Sequence, residues 1–180
     1  SAWESKDSTV STVYTFKGWS ETKGGAVVDS FPTVVAGGEN KTYYAIFEES
    51  VRTYTVVWAD EDGTVLEKDE NIPYGTMPTF DKADPTKEAD AQYTYTFDKW
   101  SPVVSEVKGD ATYYATYTSE LRSYNVTWVV DGNVVKTESV KYGSMPTEPA
   151  TPTRESTAEF SYEFSGWSPS VSMVVGPTTY

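Results

Sequence analysis

The sequence predicts a mainly β protein, built as a tandem array of small units of about four strands each, with long proline-rich crossovers and little helix. Three observations support this prediction. Aromatic residues reach 15% of the 180-residue chain, and aromatic side chains favour strands. Hydrophobic positions alternate with a period of two rather than 3.6. Long stretches of the chain also recur at a spacing of about 70 residues, which is typical of repeat proteins.

The repeat is clearest in two stretches that are nearly the same sequence. One reads YTVVWADEDGTVLEKDENIPYGTMPT from Tyr54, and the other reads YNVTWVVDGNVVKTESVKYGSMPT from Tyr124. The match continues to aromatic-x-x-Trp elements that end at Trp100 and Trp167, and a partial copy that contains Trp19 precedes both. Insertions and deletions fall at predicted turns while the strands keep their phase, as expected for tandem copies of one fold.

The matches divide the chain into three successive repeats. Residues 1–50 correspond to the C-terminal part of a first repeat, residues 51–120 to a complete second repeat, and residues 121–180 to a third repeat without most of its last strand. Short linkers are predicted at Glu48–Arg52 and Ser119–Ser123. A unit of about 70 residues buries only about 60% of its chain surface, so neighbouring repeats are expected to stabilise one another.

The second repeat is expected to contain a hairpin, a long crossover and two further strands. Its hairpin turn is predicted at Asp62-Gly63, and the proline-containing segment 78–90 is predicted as loop with at most one or two short helical turns. Alternation places the inward side chains of its first, third and fourth strands at Tyr54, Val56 and Trp58; at Tyr93, Tyr95 and Phe97; and at Tyr113, Ala115 and Tyr117.

The third repeat predicts the same order of elements. Asp131-Gly132 is the expected hairpin turn, and residues 146–157 are the expected loop. Phe160, Tyr162 and Phe164 alternate with polar residues, so we expect a third strand there.

Several motifs resemble a known family. YTFKGWS from Tyr14 and KTYYAIF from Lys41 resemble the Listeria–Bacteroides repeat, also called the internalin B-type repeat, and YTFDKWSP from Tyr95 and FSGWSP from Phe164 resemble a shorter variant of it. The resemblance implies a β-grasp-like module strung in tandem in bacterial cell-surface proteins. It implies an extracellular, cell-surface or cell-wall location and a role as a stalk or adhesin, sometimes in contact with host components. It implies no catalytic residues.

A second resemblance covers less of the chain. YTVVWADEDGTVLE from Tyr54 is similar to the start of mucin-binding-type repeats, which carry an acidic Asp-Gly turn after their first strand. The alternative function is therefore a carbohydrate- or mucin-binding module. A host surface protein or a glycan, together with neighbouring repeats of the same chain, are the expected partners.

Composition argues against several other functions. The chain has 14 Lys and Arg and 27 Asp and Glu, which gives a net charge of −13. Nucleic acids attract positively charged surfaces, so this negative charge argues against nucleic-acid binding. No apolar run approaches the ~20 residues that span a bilayer, so no membrane insertion is predicted. The chain has no His and no Cys, which removes Ser-His-Asp triads and Cys/His zinc sites. We predict no cofactor.

An enzyme is the least favoured function. Paired carboxylates could act as in a glycosidase, but 27 acidic residues make some pair inevitable, and small tandem units offer no large cleft. The cluster Asp60, Glu61, Asp62 and Glu67 could suggest calcium, but the spacing lacks the later oxygen ligands of a calcium loop. A solvated turn is therefore the preferred interpretation.

The aromatic residues allow two interpretations. The recurring Trp19, Trp58, Trp100, Trp128 and Trp167 could form sugar-binding platforms, but they share a face with Tyr and Val, so we expect them in the core. Trp3 has no counterpart in the later repeats. Trp3, Tyr44 and Tyr114 are the candidate ligand contacts, the two tyrosines because solvent-facing side chains on strands offer contact surface.

Overall fold

The computed structural model describes residues 5–33 and 36–180, and these residues form nine strands and no helix. The strands are β1 (Thr12–Ser20), β2 (Tyr44–Val51), β3 (Thr53–Ala59), β4 (Val65–Pro73), β5 (Tyr93–Ser101), β6 (Ala111–Leu121), β7 (Ser123–Val130), β8 (Asn133–Lys141) and β9 (Thr178–Thr179). The predicted mainly β class is confirmed. Within the described ranges, no helix has the length and apolar character needed to cross a membrane.

The strands form three sheets. β1 pairs with β2, a four-stranded sheet has the order β4-β3-β6-β5, and a three-stranded sheet has the order β8-β7-β9. In the four-stranded sheet, β3 runs antiparallel to β4 and parallel to β6. In the three-stranded sheet, β7 runs antiparallel to β8 and parallel to β9. The second and third repeats therefore begin in the same way, with a hairpin whose first strand accepts a later strand in parallel.

Contact density divides the chain into two compact units. One contains Ser1–Ala83 and Lys99–Thr116, and the other contains Asp84–Asp98 and Tyr117–Tyr180. Each unit has a hydrophobic core cluster: Val56, Trp58, Val107 and Tyr113 in the first, and Val126, Trp128, Val140, Val174 and Tyr180 in the second. The repeat boundaries near residues 50 and 120 remain a prediction from the sequence matches.

The predicted hairpin turn of the third repeat is confirmed. Val130 pairs with Asn133, so only two residues connect β7 and β8. Asp131 and Gly132 have φ angles of 48° and 80°. Two consecutive left-handed residues are the requirement of a type I′ turn, which Asp-Gly meets readily. The loops predicted at 78–90 and 146–157 also contain no strand or helix.

The third strand predicted for the third repeat does not form. Residues 154–168, which include Phe160, Tyr162 and Phe164, pair with no strand and form none. In the second repeat, β5 lies beside the later part of β6, where the Thr118 hydroxyl donates to the Thr96 carbonyl at 3.3 Å. The third repeat places only the two residues of β9 beside β7. A strand needs a neighbour for its backbone hydrogen bonds, and none of the described residues supplies one here.

The predicted linkers are almost entirely strand. β2 continues to Val51 and β3 begins at Thr53, while β6 continues to Leu121 and β7 begins at Ser123. Only Arg52 and Arg122 separate the last strand of one repeat from the first strand of the next. The sequence matches alone did not indicate this continuity.

Candidate functional site

The recurring tryptophans of the second repeat lie in its core. Trp58 is 1% exposed. Its ring centroid lies 4.9 Å from that of Trp100, with an interplanar angle of 66°, and 4.9 Å from that of Tyr113, at 30°. Trp100 is half-buried and packs against the same cluster. An indole enclosed in this way has no open face for a sugar ring, so the predicted core position is confirmed.

The third repeat repeats this geometry closely. Trp128 is fully buried. Its ring centroid lies 4.8 Å from that of Trp167, at 70°, and 4.7 Å from that of Tyr180, at 29°. In the first repeat, Trp19 is half-buried and meets Phe16 edge-on at 5.7 Å. The matched rings therefore serve packing in each repeat.

One part of this core, a loop valine in each repeat, was not predicted from the sequence. Val107 and Val174 are buried in the two clusters and belong to loops. The Val107 carbonyl accepts from Gly75 N at 2.8 Å, and the Val174 carbonyl accepts from Gly143 N at 2.7 Å. A single valine in a loop has no periodicity that would indicate burial. The matching positions of the two valines within their repeats are the signal that could have found them.

Two carboxylates accept hydrogen bonds from the indole N–H groups of the buried tryptophans. Trp58 Nε1 donates to Asp69 at 2.9 Å, and Trp128 Nε1 donates to Glu138 at 3.4 Å. Burial raises the pKa of Glu138, but hydrogen bonds from Thr147 N, Lys136 and Trp128 outweigh burial, and the net pKa lies below its ordinary value. Each carboxylate stabilises the buried tryptophan of its own repeat.

The acidic turn after β3 uses its carboxylates for its own backbone. Thr64 N donates to the Asp62 carboxylate at 2.8 Å, and Asp60 N donates to the Thr64 carbonyl at 2.8 Å. The hydrogen bond from Thr64 N lowers the pKa of Asp62. Across the described part of the chain, no group of three or more Asp, Glu, His or Cys side chains is close enough to hold a metal ion. The geometry is that of a solvated turn.

Arg52 forms a hydrogen-bonded joint between the first and second repeats. Its N–H donates to the Ser11 carbonyl at 2.9 Å, and its own carbonyl accepts from Tyr74 N at 2.8 Å. The hydroxyl of Tyr54 donates to the Val10 carbonyl at 2.7 Å. Both backbone polar groups of the single connecting residue are therefore satisfied, one by each repeat.

Arg122 forms the same joint between the second and third repeats. Its N–H donates to the Gln92 carbonyl at 2.9 Å, and its carbonyl accepts from Tyr142 N at 2.8 Å. The Tyr124 hydroxyl donates to the Ala91 carbonyl at 2.6 Å. The Arg122 guanidinium also lies 5.0 Å from the ring centroid of Tyr124. We call each of these arrangements a repeat joint.

A cation lies over a tyrosine at the matching position of all three repeats. The distances to the ring centroid are 3.6 Å for Lys6 over Tyr14, 4.2 Å for Lys87 over Tyr95 and 5.2 Å for Arg154 over Tyr162. Cations in this position are attracted by the negative face of the ring. This repeated contact was also not predicted. Each cation precedes its tyrosine by eight residues, and strand periodicity does not indicate a contact at that spacing.

A concavity lined by aromatic and charged side chains lies in the third repeat. It has a volume of about 670 Å³. We call it the aromatic groove and define it by Asp131, Arg154, Tyr162, Phe164, Trp167 and Tyr180. Arg154 is paired with Asp131, and Phe164 meets Trp167 edge-on at 5.3 Å. It therefore combines a neutralised ion pair with aromatic side chains.

Neither Tyr44 nor Tyr114 lines this groove. Tyr44 is 39% exposed at the start of β2, and Tyr114 is 44% exposed on β6. Tyr114 faces outward, because its neighbours Tyr113 and Ala115 are buried. Trp3 lies outside the described residues. Contact of these three side chains with a ligand remains a prediction.

Comparison with known proteins gave one structural similarity. No protein-family model matches the chain, and no curated protein matches it. Among solved structures, the chain is similar to Streptococcal High Identity Repeats in Tandem (SHIRT) domains 3–4 from a cell surface protein, with 16% identity and a TM-score of 0.35. The similarity covers 71% of this chain and 93% of that chain. At this TM-score it transfers neither a fold nor a function.

Proposed function

We propose that the chain is a non-catalytic tandem repeat region of an exported bacterial cell-surface protein, where it serves as a stalk or adhesion module. The observation that carries the proposal is the repeat joint. At Arg52 and again at Arg122, one residue connects two strands, and its N–H and C=O are bonded to different repeats. A stalk needs such a stiff connection, since a flexible linker would let successive modules reorient freely.

The tyrosine of each joint adds a lateral restraint. Tyr54 and Tyr124 each bond a backbone carbonyl of the preceding repeat, at 2.7 and 2.6 Å. A connection of one residue between two strands leaves little slack for extension, and the tyrosine bond resists rotation about the connecting residue. The two contacts act at different points, so together they limit bending as well as twisting.

The unit type of this proposal is a β-grasp-like module of the internalin B-type repeat. The order β4-β3-β6-β5, with its parallel central pair, supports the β-grasp topology. The motifs YTFKGWS and KTYYAIF support the repeat type. In this module the long loop 78–90 stands between the hairpin and the last two strands.

A non-catalytic role agrees with how the chain uses its carboxylates. Asp69 and Glu138 bond buried indoles, and Asp62 bonds its own turn. A glycosidase needs two carboxyl groups on opposite sides of a scissile bond, about 5–10 Å apart. The carboxylates that carry defined structural bonds here belong to different repeats or to a solvated turn.

The carbohydrate- or mucin-binding alternative has less support. Sugar rings bind to exposed aromatic faces, whereas the repeated Trp58 and Trp128 are buried. The exposed aromatic row Phe160, Tyr162 and Phe164 occurs in the third repeat alone among the described residues. A module that bound glycans through its repeated features would expose the same rings in each copy.

The stalk proposal is tested by the distance distribution between repeats. Because the chain has no Cys, spin labels can be placed uniquely at Lys23→Cys and Lys108→Cys, which are exposed positions in the first and second repeats. Double electron–electron resonance is expected to give one narrow distribution. Inserting Gly-Gly between Val51 and Arg52 should broaden it, because the insertion separates the two halves of the joint.

The matched control is a Gly-Gly insertion between Glu88 and Ala89, in an exposed loop of the second repeat. It should leave the distribution narrow, since surface loops tolerate insertions. A distribution in the unmodified chain as broad as in the joint insertion would overturn the stalk proposal. The location is tested separately, by labelling intact producing cells with an antibody against the chain, and staining only after lysis would contradict it.

A further inference from the structure

We propose that the parallel pair of β3 and β6 is a mechanical clamp, which lets the second repeat carry tension along the chain without unfolding. In this pair the first and the last strand of a complete repeat lie side by side. The inference rests on the stalk proposal only for the source of the tension. Its test measures unfolding under load, whereas the stalk proposal is tested by the distance distribution between repeats, so either proposal can fail alone.

Tension on a neighbouring repeat reaches these two strands directly. Arg52 alone separates β3 from β2, and Arg122 alone separates β6 from β7. A connection of one residue has almost no length to extend, so it cannot absorb a pull. The pull therefore enters the second repeat at Thr53, the first residue of β3, and leaves it at Leu121, the last residue of β6.

This pull loads the ladder between the two strands in shear. β3 and β6 run parallel, with Val56 beside Ala111 and Ala59 beside Tyr114. Because the strands are parallel, the start of β3 and the end of β6 lie at opposite ends of the pair, and tension acts to slide one strand along the other. The hydrogen bonds of a ladder pulled in this direction share the force. A ladder pulled apart from one end loses its bonds one at a time.

Buried side chains of the two strands also oppose sliding. Trp58 of β3 lies beside Tyr113 of β6 in the register. Their ring centroids are 4.9 Å apart at an interplanar angle of 30°, and both residues are buried. The two rings would have to separate inside a close-packed core before the strands could move past each other. The core contact and the backbone ladder therefore resist the same displacement.

The third repeat has the same contact between its first strand and a parallel partner. Tyr180 N donates to the Thr127 carbonyl at 2.9 Å, and Val129 N donates to the Tyr180 carbonyl at 2.9 Å. The Tyr180 ring stacks on that of Trp128, with centroids 4.7 Å apart at an angle of 29°. Parallel backbone bonds and a Trp–Tyr ring pair thus occur together at the matching place of both repeats.

A carboxylate extends the clamp of the second repeat at the end where tension enters. Thr55 N donates to the Asp110 carboxylate at 2.8 Å. Thr55 precedes Val56, and Asp110 precedes Ala111, which together form the first pair of the parallel ladder. The bond therefore adds one more backbone N–H of β3 to those that hold this strand beside β6.

The test pulls on the same ladder in two directions by single-molecule force spectroscopy of the 180-residue chain. The chain has no Cys, so the handles attach only to cysteines introduced at exposed positions. Thr53→Cys with Glu120→Cys loads the ladder in shear, and Thr53→Cys with Lys108→Cys pulls it apart from the end where both strands start. At the same loading rate, the unfolding force should be at least threefold higher in the first geometry. Equal forces in the two geometries would overturn the proposal.

Two matched variants test the contribution of the clamp in the shear geometry. Asp110→Ala removes the bond from Thr55 N, and Asp62→Ala removes the bond from Thr64 N, also at 2.8 Å, in the turn after β3 and outside the β3–β6 pair. At constant force, Asp110→Ala should raise the unfolding rate about fivefold, the factor for one hydrogen bond, and Asp62→Ala should leave it nearly unchanged. Equal increases, or no increase with Asp110→Ala, would overturn the proposal. The comparison of pulling directions leaves both carboxylates in place, so it still decides the matter if one variant fails to fold.

Discussion

The hydroxyl of Tyr124 donates a 2.6 Å hydrogen bond to the carbonyl of Ala91, across the junction between the second and third repeats. Tyr54 and Val10 have the same relationship one repeat earlier, at 2.7 Å. The accepting groups are backbone carbonyls just before the third strand of a repeat. The hydrogen bond therefore depends on where the backbone of the preceding repeat lies and not on the side chain at the accepting position. Substitution at the carbonyl side would therefore leave the bond in place.

Removing this hydroxyl should weaken the junction measurably. The variant Tyr124→Phe keeps the ring, and with it the contact to the Arg122 guanidinium, but it leaves the Ala91 carbonyl without the bond. We expect a loss of about 0.5–1.5 kcal/mol in the free energy of unfolding, the usual value for one hydrogen bond, measured by urea denaturation. Tyr114→Phe, on the outward face of β6, is the control and should change stability by less than about 0.5 kcal/mol. Equal effects of the two variants would contradict the role of the joint.

Truncation of a core tryptophan should act on its own repeat. Trp128 is fully buried among Trp167, Tyr180 and Val126, so Trp128→Ala leaves a large cavity and should cost about 3–5 kcal/mol. Hydrogen exchange should show lost protection in β7 and β8 and retained protection in β3 and β4, because each core cluster is formed by residues of its own repeat.

The reciprocal variant separates a local effect from a general one. Trp58 occupies the matching position of the second repeat. Trp58→Ala should therefore transfer the loss of protection to β3 and β4. If both variants removed protection from all four strands equally, the two cores would unfold as one cooperative unit.

Glu138 should make the third repeat sensitive to acid. Its pKa in the folded chain lies below its ordinary value, because the bonds from Thr147 N, Lys136 and Trp128 outweigh the effect of burial. A lowered folded pKa means that the carboxylate stabilises the fold above its unfolded pKa, about 4.3, and that this contribution is lost as the pH falls through the folded pKa. At pH 7, Glu138→Gln should thus lower the urea midpoint relative to the unsubstituted chain. At pH 2–3 the midpoints of the two proteins should be the same.

The control for this pH dependence is Glu155→Gln, an exposed glutamate in a loop of the same repeat. Its urea midpoint should follow that of the unsubstituted chain at every pH. A difference between Glu138→Gln and the unsubstituted chain that stayed constant from pH 7 to pH 2 would mean that the substitution acts through packing and not through the charge.

Local sequence determined most of the strands but could not determine all of them. The alternation Tyr54, Val56, Trp58 and the two-residue Asp131-Gly132 turn are local signals, and both predictions are confirmed. The alternation Phe160, Tyr162, Phe164 is equally regular, yet no strand forms. The difference is that a strand exists through its neighbour: β5 lies beside the long β6, whereas the counterpart of β6 in the third repeat is the two-residue β9.

The joints illustrate a second limit of sequence reasoning. The recurrence of Arg52 and Arg122 can be read from the sequence, but the acceptors of the joint tyrosines are the carbonyls of Val10 and Ala91. Every residue carries a carbonyl, so an acceptor of this kind has no sequence signature. Contacts between tandem units are therefore harder to predict than the cores within them.

The turn after β8 offers a test of backbone geometry without side-chain packing. Gly143 has a φ of 76°, and its N–H donates to the buried Val174 carbonyl at 2.7 Å. A Cβ added there would meet no atom within 4 Å, so Gly143→Ala changes only the backbone preference. An L-residue in the left-handed region costs about 1–2 kcal/mol, and we expect a loss of that size in the free energy of unfolding.

Gly176 is the matched control in the same repeat. A Cβ there would also meet nothing within 4 Å, but its φ lies outside the left-handed region. Gly176→Ala should therefore leave stability unchanged or raise it by about 0.4–1 kcal/mol, because alanine restricts the unfolded chain. Urea denaturation of the two variants compares the same substitution at two sites with room for the added Cβ. Changes of opposite sign in the free energy of unfolding would therefore assign the effect to φ. A loss of equal size at both glycines would mean that the lost stability does not come from the left-handed φ of Gly143.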